Sequence, residues 1–353
     1  MLSAQSSNVI IAKARAMYGR RLTNENYREL LECQTVGEVA GTLKRRTVYG
    51  KILAGLNENS VHRGQLEAKL KQKLFEDYAL LCRYEIVIGD YFARYFIMHS
   101  EIEQILHSLM YLDAGKPEEY LFVMPEYLNQ HTHINLNALS RIKDFNALLE
   151  ALNGTHYRKL LEPFNPENGE PFDFAAIENS LYTYLFSTIF EVIAKKTSGD
   201  TAKQLREIFN SYVDLLNYAR IIRLKMTYDV NPDFIHRSIL PFGKISPRLI
   251  EEMIEAETEE QVTSVMRQRS AGKRFLNIPH IYVDEIPNRA RYKICSHDIH
   301  FSTHSSVVLM SYAYLTQAEI TDIVTIIEGI RYKLPPQEIE KLLTIYSLTE
   351  RSN

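Results

Sequence analysis

Apolar residues recur along this chain at the spacing of an α-helix and almost nowhere at the spacing of a strand. Leu66, Leu70, Leu74, Tyr78 and Leu81 fall at i, i+4, i+8, i+12 and i+15, one stripe of a helix over 62–88. Gly89 then offers a stop or a sharp bend. Ile177, Leu181, Leu185, Ile189 and Ile193 predict a second helix over 174–196, which Asp173 can cap and Ser198-Gly199-Asp200 ends. Leu205, Ile208, Tyr212, Leu215 and Leu216 carry a third as far as Ile222. Leu216 is placed on its buried stripe, so Leu216→Asp is expected to unfold the chain by leaving a charge without a partner. The exception is 277–305, irregular and proline-bearing, which reads as a long loop with room for a short strand. The fold class is all-α.

Composition removes several classes. The 41 basic and 44 acidic side chains nearly cancel, which argues against a dominant polyanion-binding face. Three cysteines far apart (Cys33, Cys82, Cys295) imply no disulfide framework and favour a reducing compartment. The most apolar stretches, around 181–194 and 307–315, fall short of the roughly 18–20 residues that span a bilayer. The first residues lack the apolar core of a secretory signal.

Two elements repeat. One is an amphipathic helix followed by a proline-marked turn. It starts at Glu101 and again at Glu319, placing Ile102 on Ile320, Ile105 on Ile323, Leu109 on Ile327 and Pro117 on Pro335. A third copy from Asn217 keeps Ile221 and Ile222 and shifts the proline to Pro232. The N-terminus gives a fourth, with Tyr27, Leu30 and Leu31 on Ile339, Leu342 and Leu343. The other element is a capped helix starting at Thr35, Asp144 and Thr258. Its apolar pairs are Val39/Leu43, Leu148/Leu152 and Val262/Met266. Thr35 with Glu38 and Thr258 with Gln261 fit a capping box. Tyr49 and Tyr157 follow the first two copies; the third has Ala271 or Gly272 there. These recurrences give three units, starting near residues 7, 101 and 217, and a final helix pair from 319.

Three segments in order, AKARAMYGRRLTNENYRELLECQTVGEVAGTLKRRTVYGKIL from Ala12, YVDLLNYARIIRLKMTYD from Tyr212 and EITDIVTIIEGIRYKLPPQEIEKLL from Glu319, resemble the C subunit of V/A-type rotary ATPases (ATP synthases), known as the d subunit in eukaryotes. The stretch 277–305 and Tyr218 depart from that pattern. The resemblance implies three similar helical subdomains about a pseudo-threefold axis, a funnel with a central cavity, divided as 1–94, 95–211 and 212–318 with a closing helix pair over 319–353. It implies a non-catalytic central-stalk adaptor without cofactor, which couples the rotor shaft to the membrane proteolipid ring. The location implied is cytoplasmic, peripheral on the membrane through the complex, with no nucleic acid and no inserted segment. Arg15, Arg20 and Arg21, and separately Arg220, Arg223 and Lys225, are basic residues at repeated helical positions and the candidates for partner contacts, although solvated helix faces would look the same.

Catalytic signatures are weak. Gly272-Lys273 has Arg267 where a phosphate-binding loop needs glycine and Arg274 where it needs a hydroxyl; Gly115-Lys116 fails in the same way at Met110 and Pro117. His297, His300 and His304 beside Cys295 and Asp298 are the one enzyme-like cluster, since imidazole and thiolate bind zinc, but they lack paired-ligand spacing. His131 and His133 are weaker still. The acidic run Glu251, Glu252, Glu255, Glu257, Glu259 and Glu260 reads as a solvated helical face or a site for a basic partner. Tyr91, Tyr95, Tyr182 and Tyr184 read as packing rather than as a platform for bases. The alternatives to the rotor adaptor are a helical-repeat interaction scaffold and a zinc enzyme centred on 295–304.

Overall fold

The computed structural model describes residues 2–85, 88–122, 124–166 and 171–350. Every regular element among them is helical. Seven long helices form the frame: α1 (Leu2–Tyr18), α2 (Arg63–Cys82), α3 (Gly89–Asp113), α4 (Phe174–Lys196), α5 (Gly199–Ile222), α6 (Ile286–Phe301) and α7 (Ser305–Arg331). Short helices fill the intervals.

The packing closes on itself. Helix α2 lies on α3, α3 on α4, α4 on α5, α5 on α6, α6 on α7, and α7 returns to α2. α1 packs on α7 as well. Every residue from Ser305 to Leu315 is buried, which explains why this stretch is apolar all round its axis. Where the circuit converges, the Tyr95 and Tyr314 hydroxyls bond at 3.0 Å and Phe209 stands edge-on to both rings. The Arg291 guanidinium is held between the Tyr212 and Tyr314 rings, 4.0 and 4.1 Å from their centroids.

Most expected boundaries hold. α4 begins on an Asp173 side chain that accepts the Ala176 N–H, as expected, and Gly199 turns the chain at φ +55. The Thr258–Gln261 capping box forms; in the Thr35 copy the Glu38 carboxylate instead takes the Gln34 N–H, one residue earlier. α2 stops at Cys82, short of 88, and Gly89 opens α3. A Cβ at Gly89 would lie 2.1 Å from the Cys82 carbonyl oxygen, so the sharp junction needs glycine.

Two expectations are corrected. The stretch 277–305 is mainly helix α6, with Pro287 in its first turn, where a missing N–H costs nothing. Leu216 is half-buried rather than buried: it packs at the margin of the core, beside the fully buried Leu215 and Asn217.

Three buried carboxylates on long helices each accept at least one loop N–H from just before a short helix. Glu101 in α3 accepts from the Thr132 hydroxyl (2.8 Å), the His133 N–H (2.6 Å) and the Tyr157 hydroxyl (2.7 Å). Glu319 in α7 accepts from the Leu22 N–H and the Tyr49 hydroxyl, both at 2.7 Å. Asp214 in α5 accepts from the Lys244 and Ile245 N–H groups at 2.7 and 3.1 Å. Three residues on, a second buried polar side chain repeats the device. Gln104 accepts from Tyr120, Asp322 from the Thr344 and Ile345 N–H groups, and Asn217 pairs with the Leu240 backbone. The third copy is thus registered on Asp214, not on Asn217, a shift of three residues. Ala271 stands where Tyr49 and Tyr157 stand. The glycines after Tyr49 and Ala271, Gly50 and Gly272, are pressed against the Lys44 and Met266 carbonyls alike.

Candidate functional site

Of the hollows on this circuit, two open between α2 and α7. The first, of about 470 Å³, lies between α2, α3 and α7, with apolar walls from Leu74, Phe75, Phe96, Ile320 and Val324. It runs into a second space of about 340 Å³ through shared Glu67, Lys71, Glu103 and Tyr127. Within α2, Glu67 pairs with Arg63 at 3.2 Å and with Lys71 at 3.1 Å, and Arg63 also reaches across to Glu328 of α7 at 2.5 Å. Burial would lower the Lys71 ammonium, but Glu103 and Glu67 together raise it above its usual range. Burial lowers His99 and His107, and the facing Glu103 offsets this only in part, so both imidazoles are neutral near pH 7. The hollow is therefore apolar in its walls, and the three carboxylates around it, Glu67, Glu103 and Glu328, outnumber the two cations, Arg63 and Lys71. From sequence, Glu67 and Lys71 look like an ordinary solvated pair four apart on a helix, and Glu103 carries no signal of its own.

The other hollow, of about 420 Å³, opens between the end of α1, residues 48–52, α2 and α7. It holds two of the expected basic residues, Arg20 and Arg21, together with Lys51.

The six basic candidates part company. Arg15 donates to the Ile299 and Ser302 carbonyls at 2.7 and 2.8 Å, tying α1 to the carbonyl end of α6. Arg220 is buried, donates to the Ser238 carbonyl at 2.8 Å and Asn179 at 3.3 Å, and has Glu178 at 3.8 Å. Arg223 pairs with Asp284 at 3.1 Å, and Lys225 donates to the Ile254 carbonyl. Arg20 and Arg21 are exposed. The acids Glu251, Glu252, Glu255, Glu257, Glu259 and Glu260 are all exposed.

The histidine cluster is dispersed. Cys295 is buried, with its thiol pushed up to about 12 by burial; His297 bonds Asp298 at 3.1 Å; His300 stands edge-on to Tyr18; His304 bonds the Thr201 hydroxyl at 3.0 Å. Among the described residues, no three His, Cys, Asp or Glu side chains come together as metal donors. His131 stacks near Phe75, and His133 serves Glu101 through its backbone.

A closed helical circuit, clamped at three places by buried carboxylates and hollowed at its flanks, defines an all-α protein. Residues 10–342 match the ATP synthase (C/AC39) subunit family, and the chain belongs to that family. Among its relatives is the A-type ATP synthase C subunit of Methanosphaera stadtmanae, 25% identical over 284 residues, which are 78% of this chain and 67% of the relative. The protein of the same name from Pyrococcus horikoshii is 20% identical over 350 residues, 94% of this chain and 88% of the relative. That of Methanosarcina mazei is 28% identical over 182 residues, 52% of this chain and 42% of the relative. No helix among the described residues is long and apolar enough to cross a membrane.

Proposed function

We propose that this chain is the central-stalk adaptor of a V/A-type rotary ATPase, seating the rotor shaft on the cytoplasmic face of the membrane proteolipid ring and catalysing no reaction itself. Its units, 1–94, 95–211 and 212–318 with the closing pair 319–353, then stand about a pseudo-threefold axis as a funnel. The observation that carries this reading, beside family membership, is closure: the first unit's carboxylate, Glu319, comes from the last long helix, joining the two ends of the chain. A packed circuit of this kind has low compressibility and transmits strain, which suits torque transfer.

The hollow between α2, α3 and α7 is the socket this reading assigns to the shaft, because its apolar walls suit a buried, slowly dissociating grip. Arg20 and Arg21 are the partner-facing cations. Arg15, Arg220, Arg223 and Lys225 act inside the fold, where they hold neighbouring helices together. The test is co-purification. The chain should travel with the proteolipid ring and shaft subunits when the complex is split. Retention on the stator head after the rotor is stripped away would overturn the reading.

A further inference from the structure

The hollow that contains Arg20 and Arg21 is asymmetric in charge. Its floor is spent: Lys73 pairs with Asp77 at 2.5 Å, Tyr312 donates to Asp77 at 3.1 Å, and Glu319 is occupied by Tyr49 and the Leu22 N–H. Glu76, exposed at the edge of the same hollow, accepts from the neutral Gln72 amide and keeps its charge. The rim differs. The side chains of Arg20 and Lys51 make no hydrogen bond or ion pair with any described residue. Arg21 only lies over the Tyr18 ring, 4.4 Å from its centroid, with one long bond to the Tyr18 carbonyl at 3.4 Å. Beside these three cations, Met17, Val48 and Ile52 are half-buried and open to the same space.

We propose that this pocket docks an acidic peptide segment of a partner protein, one apolar side chain entering between Met17, Val48 and Ile52 while flanking carboxylates meet Arg20, Arg21 and Lys51. Three features favour this occupant. Guanidinium groups match carboxylates bidentately. The apolar lip beside the cations gives a neighbouring side chain a place to be buried. The carboxylates on the floor repel an anion that penetrates deeply, so a compact phosphate gains the rim alone, whereas a peptide engages rim and lip together. The inference rests on the reading of the chain as a partner-gripping subunit, and gives that grip its chemistry: charge at the rim sets orientation and encounter rate, and the apolar anchor slows release.

The test titrates the full chain with a fluorescent acetylated peptide carrying a leucine between two glutamates, and with its glutamine counterpart. Inorganic phosphate and vesicles of phosphatidylglycerol with phosphatidylcholine are the competing probes. The glutamate peptide should bind, weaken with added salt, and lose on the order of tenfold in the triple variant Arg20→Gln/Arg21→Gln/Lys51→Gln. Arg45→Gln/Arg46→Gln, on the same unit but outside the pocket, should bind like the parent. Equal binding of the glutamine peptide, or an unchanged triple variant, overturns the proposal. So does tighter capture of phosphate or vesicles that depends on the same three residues. Circular dichroism of the triple variant separates lost binding from lost folding. A triple variant that binds peptide normally but still travels with the rotor sinks this inference and leaves the adaptor reading standing.

Discussion

The carboxylates Glu319 and Asp214 occupy equivalent places in the repeat but solve the same problem by opposite means. Glu319 is the longer acid, and it reaches out to gather a hydroxyl and an N–H from the far end of the chain, at Tyr49 and Leu22. Asp214 is one methylene shorter, and the loop comes to it: both N–H groups, from Lys244 and Ile245, converge on one oxygen. That approach needs Gly243 at φ +102, because a Cβ there would lie 2.1 Å from the same Asp214 oxygen. With the shorter acid goes the missing tyrosine: Ala271 stands at the position of Tyr49. A clamp can therefore be tightened through its side chains or through its backbone, and the repeat keeps the buried charge while changing the donors.

Burial raises both acids. It pushes Asp214 up to about 6 against the pull of the Lys244 and Ile245 N–H groups, and lifts Asp322 to about 7 by the same contest. Glu319 is raised too, burial outweighing Tyr49 and Leu22.

The largest expected effect comes from removing the best-connected clamp. Glu101→Leu orphans three buried or half-buried donors, and urea denaturation should show a loss of about 3 to 5 kcal/mol. Gly243→Ala attacks the backbone solution alone, combining a positive φ with a clash on Asp214; about 2 to 4 kcal/mol should be lost, whereas alanine at Gly115, also at positive φ but in open space, should cost only about 1 kcal/mol. Titration comes next. A folded-state value above the ordinary 3.8 means that the neutral form is favoured by folding, so the Asp214 contribution is full below pH 3.8 and fades as pH rises through about 6. Relative to Asp214→Asn, the parent should lose roughly 3 kcal/mol of stability across that interval. Smallest is Tyr49→Phe, which removes one hydroxyl from Glu319 and should cost about 1 to 2 kcal/mol, with a double-mutant cycle to Glu319→Gln showing coupling. Ala271→Phe paired with Asp214→Asn should show none attributable to a hydrogen bond.

Much of this was legible in the chain. The stripe over 174–196, the Asp173 cap and the three capped helices rest on local rules, and local rules survive folding. The register of the third repeat was not legible from apolar residues, since a slide of three or four along a helix preserves the stripe; Ile221 and Ile222 matched as well as the correct residues. The polar residues held the answer, as Glu101 with Gln104, Glu319 with Asp322 and Asp214 with Asn217 keep one spacing. Helix α6 was hidden by Pro287 and by Arg289, a charge at a core position. Arg289 is buried because Glu285, Ser347 and the Pro279 and Lys341 carbonyls surround it, and those partners lie up to 58 residues away. The fate of the basic residues was equally non-local: Arg15 finds its carbonyls 284 and 287 residues along the chain.

Amide hydrogen exchange on the intact chain tests the clamps most directly. His133 and Lys244 are exposed residues in loops, yet their N–H groups are bonded to buried carboxylates. Both should exchange slowly, together with Leu22, and Glu101→Leu, which removes the acceptor, should release His133 ahead of Lys244 and Leu22. Exchange at His133 and Lys244 as fast as in unprotected loops would contradict the account.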